Sequence, residues 1–381
     1  MFIKLVDIMK LVFSLLFFLL ILADSFSQST NDVLNLLISN KTISQSQADS
    51  IRAEAALSQQ QADASKKSFF ITAARQMQLT GFTQVRFQAF QESGKHSSFD
   101  IRRARVDLKG SITPVFSYRL QADFAGNPKL LDAYGEIKLA DYFTITAGQF
   151  KIPFSMENLA PVNKMEMIDF SQVVEALVAR TKDVIGNQNG RDIGVQFGGT
   201  IFKIKDLPLI EYRLGVFNGS GINVADTANS AKDIVGRLIF TPLKGLTFGG
   251  GYYKGWDKAI KPDVPGQSQT RNRVGGEFSY VTTSFSLKGE YISGKDGKTS
   301  RAGWYIQAGY FVIPQKLQVL GKYDVYDPNT SKPNNISTNY VFGANYNFNN
   351  WSRLQAFYTI RQEEGPAIKN NFLSVQYQIG F

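Results

Sequence analysis

The chain of 381 residues is predicted to be all-β: a transmembrane antiparallel β-barrel of about 16 strands, with a short N-terminal helical segment. Three observations predict this class. The chain begins with an export-type segment, its longer part is a series of alternating strands joined by turns and loops, and it ends on a strand that finishes with an aromatic residue, Phe381. No stretch after residue 27 is continuously apolar enough for a spanning helix, so any crossing of a membrane must use strands.

Residues 1–27 are typical of a secretory signal peptide. Lys4 and Lys10 precede an apolar run, 11–23, of about 13 residues, and small residues at the −3 and −1 positions predict cleavage before Gln28. A transmembrane anchor is the alternative, but a spanning helix needs roughly 17 to 25 residues. We therefore predict export with cleavage.

Residues 28–76 are predicted to be a periplasmic helical or linker segment. Two short helices are expected, at 32–38 and 44–61, the second with a capping box formed by Ser44 and Gln47. The second helix is mostly Ala, Gln and Ser, so it has too little apolar surface to fold alone. It stays frayed as a polar linker, or it pairs with neighbours as a coiled-coil or plug element.

Residues 77–381 are predicted to form the barrel. The alternating segments are longer than the 5 or 6 residues common in soluble strands and suit a tilted bilayer crossing. They are 77–90, 98–112, 115–126, 130–140, 143–151, 191–204, 208–218, 231–241, 245–256, 270–281, 284–293, 302–313, 316–326, 336–349, 351–362 and 370–381.

The connections alternate between short and long, which is typical of an outer-membrane barrel with short periplasmic turns and long external loops. Short turns are expected at 113–114, 141–142, 205–207, 242–244, 282–283, 314–315 and 349–350. Long loops are expected at 91–97, 152–190, 219–230, 257–269, 294–301, 327–335 and 363–369. Both ends of the barrel lie on the short-turn side only if the strand number is even.

The period-2 pattern predicts which face of each strand is charged. In 98–112, Arg103 and Arg105 alternate with Ala104 and Val106. Charge on the lipid face costs roughly 2 to 4 kcal/mol for each Arg or Lys near the midplane, so the charged sets are predicted to face the lumen.

The net charge of +10 arises after residue 67, because 1–27 and 28–67 each carry equal numbers of cationic and acidic residues. The cations are spread over the strands and form no basic run, which argues against nucleic acid as a partner. Positive charge distributed in this way indicates a lumen that attracts anions.

Three blocks carry a resemblance to a known family: FDIRRARVDLKG at 99–110, LLDAYGEI at 130–137 and GQFKIPFSMENL at 148–159. In this order they resemble the phosphate-selective porin O/P family, over roughly 80–381. The resemblance implies a homotrimeric outer-membrane channel for inorganic anions, phosphate or polyphosphate among them. It also implies that Phe381 is read by the barrel-assembly machinery and that outer-membrane lipid surrounds the barrel.

The family narrows its pore with infolded loops lined by Lys and Arg. The resemblance places 152–190 as the infolded loop of this chain and implies a substrate-binding set of Arg103, Arg105, Arg119, Lys151, Ser155, Arg180, Lys182 and Arg191. For each arginine, a salt bridge that stiffens the barrel wall is the competing interpretation. The loop 152–190 itself has five acidic and three basic residues. The basic residues of the loop 257–269 are only Lys258 and Lys261, where the family's pattern leads us to expect a ladder of arginines.

Catalytic and metal chemistry find little support in the sequence. The single histidine, His96, sits beside Lys95 in an expected external loop, and there is no Cys to form a disulfide, a metal site or a nucleophile. Asp324 and Asp327 could bind a cation, but Asp327-Pro328-Asn329 is more simply a turn. We predict no enzyme activity, no cofactor and no metal.

Two functions from different classes remain at this stage. The first is an outer-membrane porin for passive diffusion of small anions. The alternative is a surface-exposed barrel whose loops bind a partner or ligand without open-channel transport. The feature that separates the two is an open lumen with a net positive lining, against a lumen plugged by loops or by the 28–67 helices.

Overall fold

The computed structural model describes residues 70–72, 75–224, 231–257, 269–366 and 368–381, together with residues 35, 37–40, 42, 44–45 and 47–48. The chain divides into two compact units, Met1–Phe69 and Phe70–Phe381. The predicted signal peptide, most of the predicted linker, and Lys258 and Lys261 lie outside the described residues. In the first unit the predicted capping box is present, since the Ser44 amide donates to Gln47 Oε1 at 2.9 Å and the Gln47 amide to Ser44 Oγ at 3.3 Å.

Within the described residues of the second unit, sixteen antiparallel strands form a closed barrel, preceded by a short strand, β1 (Phe70–Thr72), that pairs with the start of β2. The barrel strands are β2 (Arg75–Phe90), β3 (Ser98–Ser111), β4 (Phe116–Asp123), β5 (Lys129–Ala140), β6 (Phe143–Lys151), β7 (Arg191–Ile204), β8 (Leu207–Phe217), β9 (Asp233–Leu243), β10 (Leu246–Asp257), β11 (Gln269–Val281), β12 (Phe285–Asp296), β13 (Thr299–Ile313), β14 (Leu317–Asp327), β15 (Ser337–Asn347), β16 (Ser352–Glu363) and β17 (Phe372–Gly380).

Each strand pairs with its neighbours in the chain, and the barrel closes between β17 and β2, from Phe372 opposite Phe90 to Gly380 opposite Phe82. The predicted all-β barrel of about 16 strands is confirmed. Each predicted strand overlaps one observed strand, with ends that differ by at most three residues. In the described part of the chain, no helix combines the length and the apolar character needed to cross a membrane.

The predicted long loop at 294–301 is wrong. Strand β12 continues to Asp296 and β13 begins at Thr299, leaving a two-residue turn in which Gly297 has a φ of 58°. The segment is polar because its side chains line the barrel interior: Asp296 pairs with Arg273 at 2.7 Å and with Arg301 at 3.2 Å. A lumen-facing strand end and an external loop therefore have the same composition.

The predicted facing of the strands is confirmed. Charged residues such as Asp123, Arg273 and Lys322 are buried inside the barrel. Apolar side chains on the opposite face of the same strands, among them Leu120, Val274 and Val319, are exposed. The barrel thus has an apolar outer surface and a charged interior, as a membrane-spanning strand pattern requires.

Candidate functional site

The connection between β6 and β7, residues 152–190, contacts the inward-facing side chains of the barrel and defines the shape of the lumen. It contains α1 (Met156–Leu159), a single 3₁₀ turn (Val162–Lys164) and α2 (Gln172–Leu177). Its apolar residues, including Val173, Val174 and Leu177, are buried in one cluster with inward-facing residues of the wall. Burial of this many apolar side chains anchors the loop by the hydrophobic effect.

Glu166 attaches the loop to one side of the barrel wall. Its carboxylate accepts hydrogen bonds from Lys288 at 2.7 Å, Gln307 at 2.7 Å and Gln318 at 2.8 Å, and its carbonyl oxygen accepts from Asn345 at 2.8 Å. Burial alone would raise the pKa of Glu166, but Lys288 and the hydrogen bonds outweigh it and hold the pKa below its ordinary value of 4.5. The carboxylate is therefore charged at neutral pH.

Asp169 attaches the loop to another part of the wall, on β2 and β3. Its carboxylate accepts from Arg102 at 2.7 Å and lies 3.7 Å from Arg86. Burial opposes ionisation, yet the two guanidinium groups hold the pKa of Asp169 below its ordinary value. The acids of the loop thus serve as attachments to cations of the wall.

Glu157 and Asp183, two further acids of the loop, are also held by cations of the wall. Glu157 accepts from Lys322 at 3.1 Å and from the Ser171 amide at 2.8 Å, and Asp183 lies 3.4 Å from Arg271. The excess of acids in the loop, noted in the sequence, is therefore matched by wall cations and does not make the lumen negative.

Four of the predicted site residues line one cavity: Arg105, Arg119, Lys151 and Arg191. This inner cavity has a volume of about 330 Å³ and extends toward the short-turn end of the barrel. It is also lined by Lys164, by Asp107 as its one acidic side chain, and by the terminal residue Phe381. Lys151 and Arg191 are register partners at the ends of β6 and β7, where the loop leaves the wall. The strands and the loop thus bring these cations together.

Carboxylates fix the three arginines. Arg105 Nε donates to Asp123 at 2.9 Å, Arg119 makes a two-point contact with Asp107 at 2.9 and 2.7 Å, and Arg191 makes one with Asp132 at 2.7 and 3.1 Å. Two-point contacts of this kind hold the planar guanidinium in a defined direction. Asp123 and Asp132 are buried and are not part of the cavity lining. These three arginines therefore form salt bridges within the wall and also line the cavity.

Lys151 differs from these arginines. Its ammonium group donates to the Ala160 carbonyl at 2.7 Å, and no carboxylate of the described residues forms an ion pair with it. It joins the wall to the loop at the lining of the inner cavity.

The remaining predicted residues lie elsewhere. Arg103 donates to Gln84 at 2.7 Å, and Arg180 donates to Asn158 at 2.7 and 3.1 Å with its guanidinium 3.6 Å from the centre of the Phe170 ring. Both are near enough to Arg105 for their charges to repel it. Lys182 is exposed at a second cavity, and Ser155 caps α1 by accepting from the Asn158 amide at 3.2 Å.

The second cavity, which we call the outer cavity, has a volume of about 310 Å³ and lies at the long-loop end of the barrel. It is lined by charged residues, among them Lys95, Lys182 and Arg361, and by buried apolar side chains, among them Met167, Phe357 and Phe372. The inner and outer cavities are lined by different residues, with the Arg103 and Arg180 region between them.

Arg102 is a lumen residue that the alternation pattern misses. In the pairing of β2 with β3 the register shifts, so that Gln84 lies opposite Arg103 and Val85 opposite Ile101, leaving Arg102 unpaired in a bulge. Both Arg102 and Arg103 therefore turn inward. Two adjacent arginines in an otherwise alternating strand are the signal that could have indicated the bulge.

The structure assembles no catalytic group in the residues that it describes. His96 is exposed in the connection between β2 and β3, and no group of three or more His, Cys, Asp and Glu side chains able to hold a metal is found among the described residues.

A closed sixteen-stranded barrel with a charged interior, narrowed by its own loop, defines the protein as a membrane channel of the porin class. Comparison with known proteins agrees: a family model for the phosphate-selective porins O and P matches residues 76–259 and 257–371. The chain belongs to the phosphate-selective porin O and P family. It is an outer-membrane porin, and its family and fold indicate a channel rather than an enzyme.

Solved porin structures share the fold. An anion-selective porin from Comamonas acidovorans superposes with a TM-score of 0.62 at 11% identity, covering 81% of this chain and 100% of that chain. The outer membrane channel DcaP of Acinetobacter baumannii gives 0.59 at 15% identity, covering 82% and 99%. OmpT of Vibrio cholerae in its trimer form gives 0.56 at 11% identity, covering 81% and 100%. No curated protein matches the sequence.

Proposed function

We propose that the barrel lets small anions, phosphate and polyphosphate among them, diffuse passively across the outer membrane. The observation that carries this proposal is the lining of the inner cavity, where five basic side chains accompany one acidic side chain. The cations are Arg105, Arg119, Lys151, Lys164 and Arg191.

The geometry explains how such a lining attracts anions without trapping them. The arginines are held in place by acids, of which Asp123 and Asp132 are buried, so their remaining N–H groups are preorganised as donors. The same acids cancel part of the charge, which keeps each cation weak as a binding site. Conduction needs several weak sites in sequence, because a strong one would hold the ion.

The family membership supports anion passage, and so does the fold shared with a porin described as anion-selective. Within the predicted site, we propose that Lys151, Arg105, Arg119 and Arg191 contact the ion, that Arg103 and Arg180 add to the field between the two cavities, and that Lys182 acts at the outer one. Ser155 is a helix cap and contributes through the position of α1.

The test is the reversal potential of the purified, refolded protein in a planar bilayer under a KCl gradient, repeated with phosphate added. We expect the sign of the reversal potential to show that chloride is more permeant than potassium, and we expect added phosphate to reduce the chloride current. Lys151→Gln should lower the anion-to-cation permeability ratio, because it removes a basic side chain that has no carboxylate partner among the described residues from the lining of the inner cavity.

Lys138→Gln is the matched control. Lys138 is exposed beside a short turn, where it pairs with Asp141 at 2.8 Å, and it does not line the inner cavity. Cation selectivity or an absence of conductance would refute the proposal and favour the alternative, a barrel whose loops bind a partner. Anion selectivity with no effect of phosphate would leave passage of small anions and refute the phosphate preference alone.

The remaining proposals concern export and assembly. We propose that residues 1–27 direct export and are cleaved, that the barrel-assembly machinery inserts the chain into outer-membrane lipid, and that it forms a homotrimer. The trimer form of the OmpT structure with the same fold supports the last point. The mass of the detergent-solubilised protein measured by light scattering tests it, and a monomeric mass would contradict it.

A further inference from the structure

The outer cavity combines aromatic rings with cations in a way that anion passage alone does not explain. The guanidinium of Arg361 lies over the ring of Phe372, 4.6 Å from its centre, and the ammonium of Lys95 lies 5.5 Å from the centre of the Phe90 ring. The Phe90 and Phe372 rings are 6.0 Å apart and belong to the strand pair that closes the barrel. Two cation–aromatic pairs thus stand side by side at the outer mouth.

The floor of this cavity is apolar and comes from the infolded loop and the wall together. Met167, Ile168, Phe170 and Phe357 are each more than 90% buried yet line the cavity. An inorganic anion gains nothing from such a surface and loses hydration beside it. A ligand with an apolar body gains in proportion to the area that it buries there.

The charges of the cavity indicate which end of a ligand would bind. The carboxylate of Asp169 is held by Arg102, that of Asp324 by the Gln172 amide at 3.0 Å, and that of Glu175 by the Thr181 amide at 3.1 Å. In the described part of the chain, no carboxylate pairs with the side chains of Arg361 or Lys182. The three carboxylates of the cavity therefore accept hydrogen bonds from the protein itself, whereas Arg361 and Lys182 remain available to the carboxylate of a ligand.

We propose that the outer cavity is a binding subsite for organic anions with a planar apolar body, such as aromatic carboxylates, which bind there before they reach the inner cavity. The carboxylate pairs with Arg361 and Lys182, and the ring packs against Phe372, Phe90 and the apolar floor. An arginine whose guanidinium lies over a ring still has N–H groups at its edges, where a carboxylate can accept two of them. The volume falls within the roughly 300 to 1,000 Å³ of small-molecule sites.

The inference extends the proposed anion passage to a substrate class, and direct binding tests it independently of conductance. Saturation-transfer NMR titrations of the purified barrel in detergent would compare benzoate, cyclohexanecarboxylate and acetate. We expect benzoate to bind most tightly and acetate least, because acetate has no apolar body and the cyclohexane ring cannot stack flat.

Two substitutions separate the ring from the charge. Phe372→Leu keeps an apolar side chain and should weaken benzoate binding about fivefold, which corresponds to about 1 kcal/mol, while leaving acetate unchanged. Arg361→Gln should weaken both about tenfold. The controls are Phe342→Leu, an exposed aromatic on the outer face of β15, and Arg353→Gln, on β16 toward the short-turn end.

Each outcome decides something. Equal affinities for benzoate and acetate, or benzoate binding unchanged in both variants, would overturn the subsite. If Phe372→Leu does not give the heat-modifiable folded form on electrophoresis, Phe90→Leu replaces it. A channel that is anion-selective but has no benzoate preference refutes only the subsite, whereas a cation-selective channel that binds benzoate refutes only the proposed function.

Discussion

At the residue scale, the lumen arginines show that charge pairing and a position at the pore are compatible. Arg119 and Arg191 share Asp132, which lies 3.4 Å from the first and 2.7 Å from the second. The alternation of β3 and β4 predicted which residues face inward. It could not predict the acid behind each arginine, because that depends on the register between strands, and Arg191 and Asp132 lie 59 residues apart in the sequence.

Asp132 provides a direct test of how these acids tune the channel. Asp132→Asn removes one negative charge and keeps an oxygen that can accept from Arg191. We expect the anion-to-cation permeability ratio to rise several-fold, because each ion gains or loses less than the roughly 1 kcal/mol of a unit charge about 4 Å away in water when Asp132 lies behind the cavity lining. The reversal potential under a KCl gradient measures it.

The control for this change is Asp141→Asn, in the turn between β5 and β6, where Asp141 pairs with Lys138 and Lys203. It alters the net charge by the same amount but lies away from the inner cavity. A fall in the permeability ratio for Asp132→Asn, or an equal rise in both variants, would contradict a local role for Asp132.

Two residues show where sequence reasoning fails at this scale. Arg102 faces inward because of a bulge, which shifts the period-2 pattern by one residue. Ser155 was expected at the substrate site but caps a four-residue helix that the sequence did not predict. In both cases the backbone sets the role of the side chain: the bulge in β3 for Arg102, and the Asn158 amide for Ser155. Such features leave little trace in the local sequence.

At the element scale, the strands were predictable because lipid on one side and water on the other impose a strict alternation. The internal structure of 152–190 was not predicted. Its length suggested only an unusual loop, but the apolar segment from Val173 to Val178, interrupted only by Glu175, is a signal that could have indicated burial. The polar turn at Gly297 illustrates the reverse error, a strand end interpreted as a loop.

The anchor at Glu166 leads to a prediction for the loop. Glu166→Ala leaves Lys288, Gln307 and Gln318 without their acceptor, and each buried group left unpaired costs about 1 to 3 kcal/mol. We expect greater open-channel current noise and faster trypsin cleavage within 152–190. Single-channel recording and timed proteolysis measure these effects.

The same anchor should respond to pH in a defined direction. Because the pKa of Glu166 in the folded protein lies below 4.5, its ionised form stabilises the loop above pH 4.5, and this contribution is lost as the pH falls through the lower folded value. Wild-type noise should therefore rise only under such acidic conditions. Noise that begins to rise near neutral pH, or an acid transition unchanged in Glu166→Ala, would contradict this assignment.

At the scale of the whole molecule, the barrel depends on the seam between its first and last strands. The terminal residue completes that seam: the Gly81 amide donates to the Phe381 carbonyl at 3.1 Å, and the Phe381 amide donates to Gly81 at 2.9 Å. The Phe381 ring lies over Gly81, where an added Cβ would come within 2.3 Å of it. A glycine at this position permits the close approach.

Deletion of Phe381 should weaken closure of the barrel. It removes two backbone hydrogen bonds, each worth about 0.5 to 1.5 kcal/mol, together with the ring contact. We expect a smaller fraction of the heat-modifiable folded form after refolding into detergent, as measured by electrophoresis of unheated samples.

Phe381→Leu separates closure from biogenesis, because it keeps both backbone bonds. It should refold in detergent like the wild type, yet reach the outer membrane of cells in lower amounts if the assembly machinery reads the aromatic side chain. Normal refolding of the deletion variant would contradict the contribution of the seam, and normal membrane levels of Phe381→Leu would contradict recognition of the ring.

The attachment of one loop to distant parts of the wall has a mechanical consequence. Glu166 holds strands β12 to β14 and Asp169 holds β2 and β3, so the loop acts as a crossbar inside a hollow cylinder. Lateral pressure from the bilayer would otherwise flatten the cylinder and change the width of its bore. A loop attached on both sides in this way should resist a change in the width of the passage when the thickness or tension of the surrounding membrane changes.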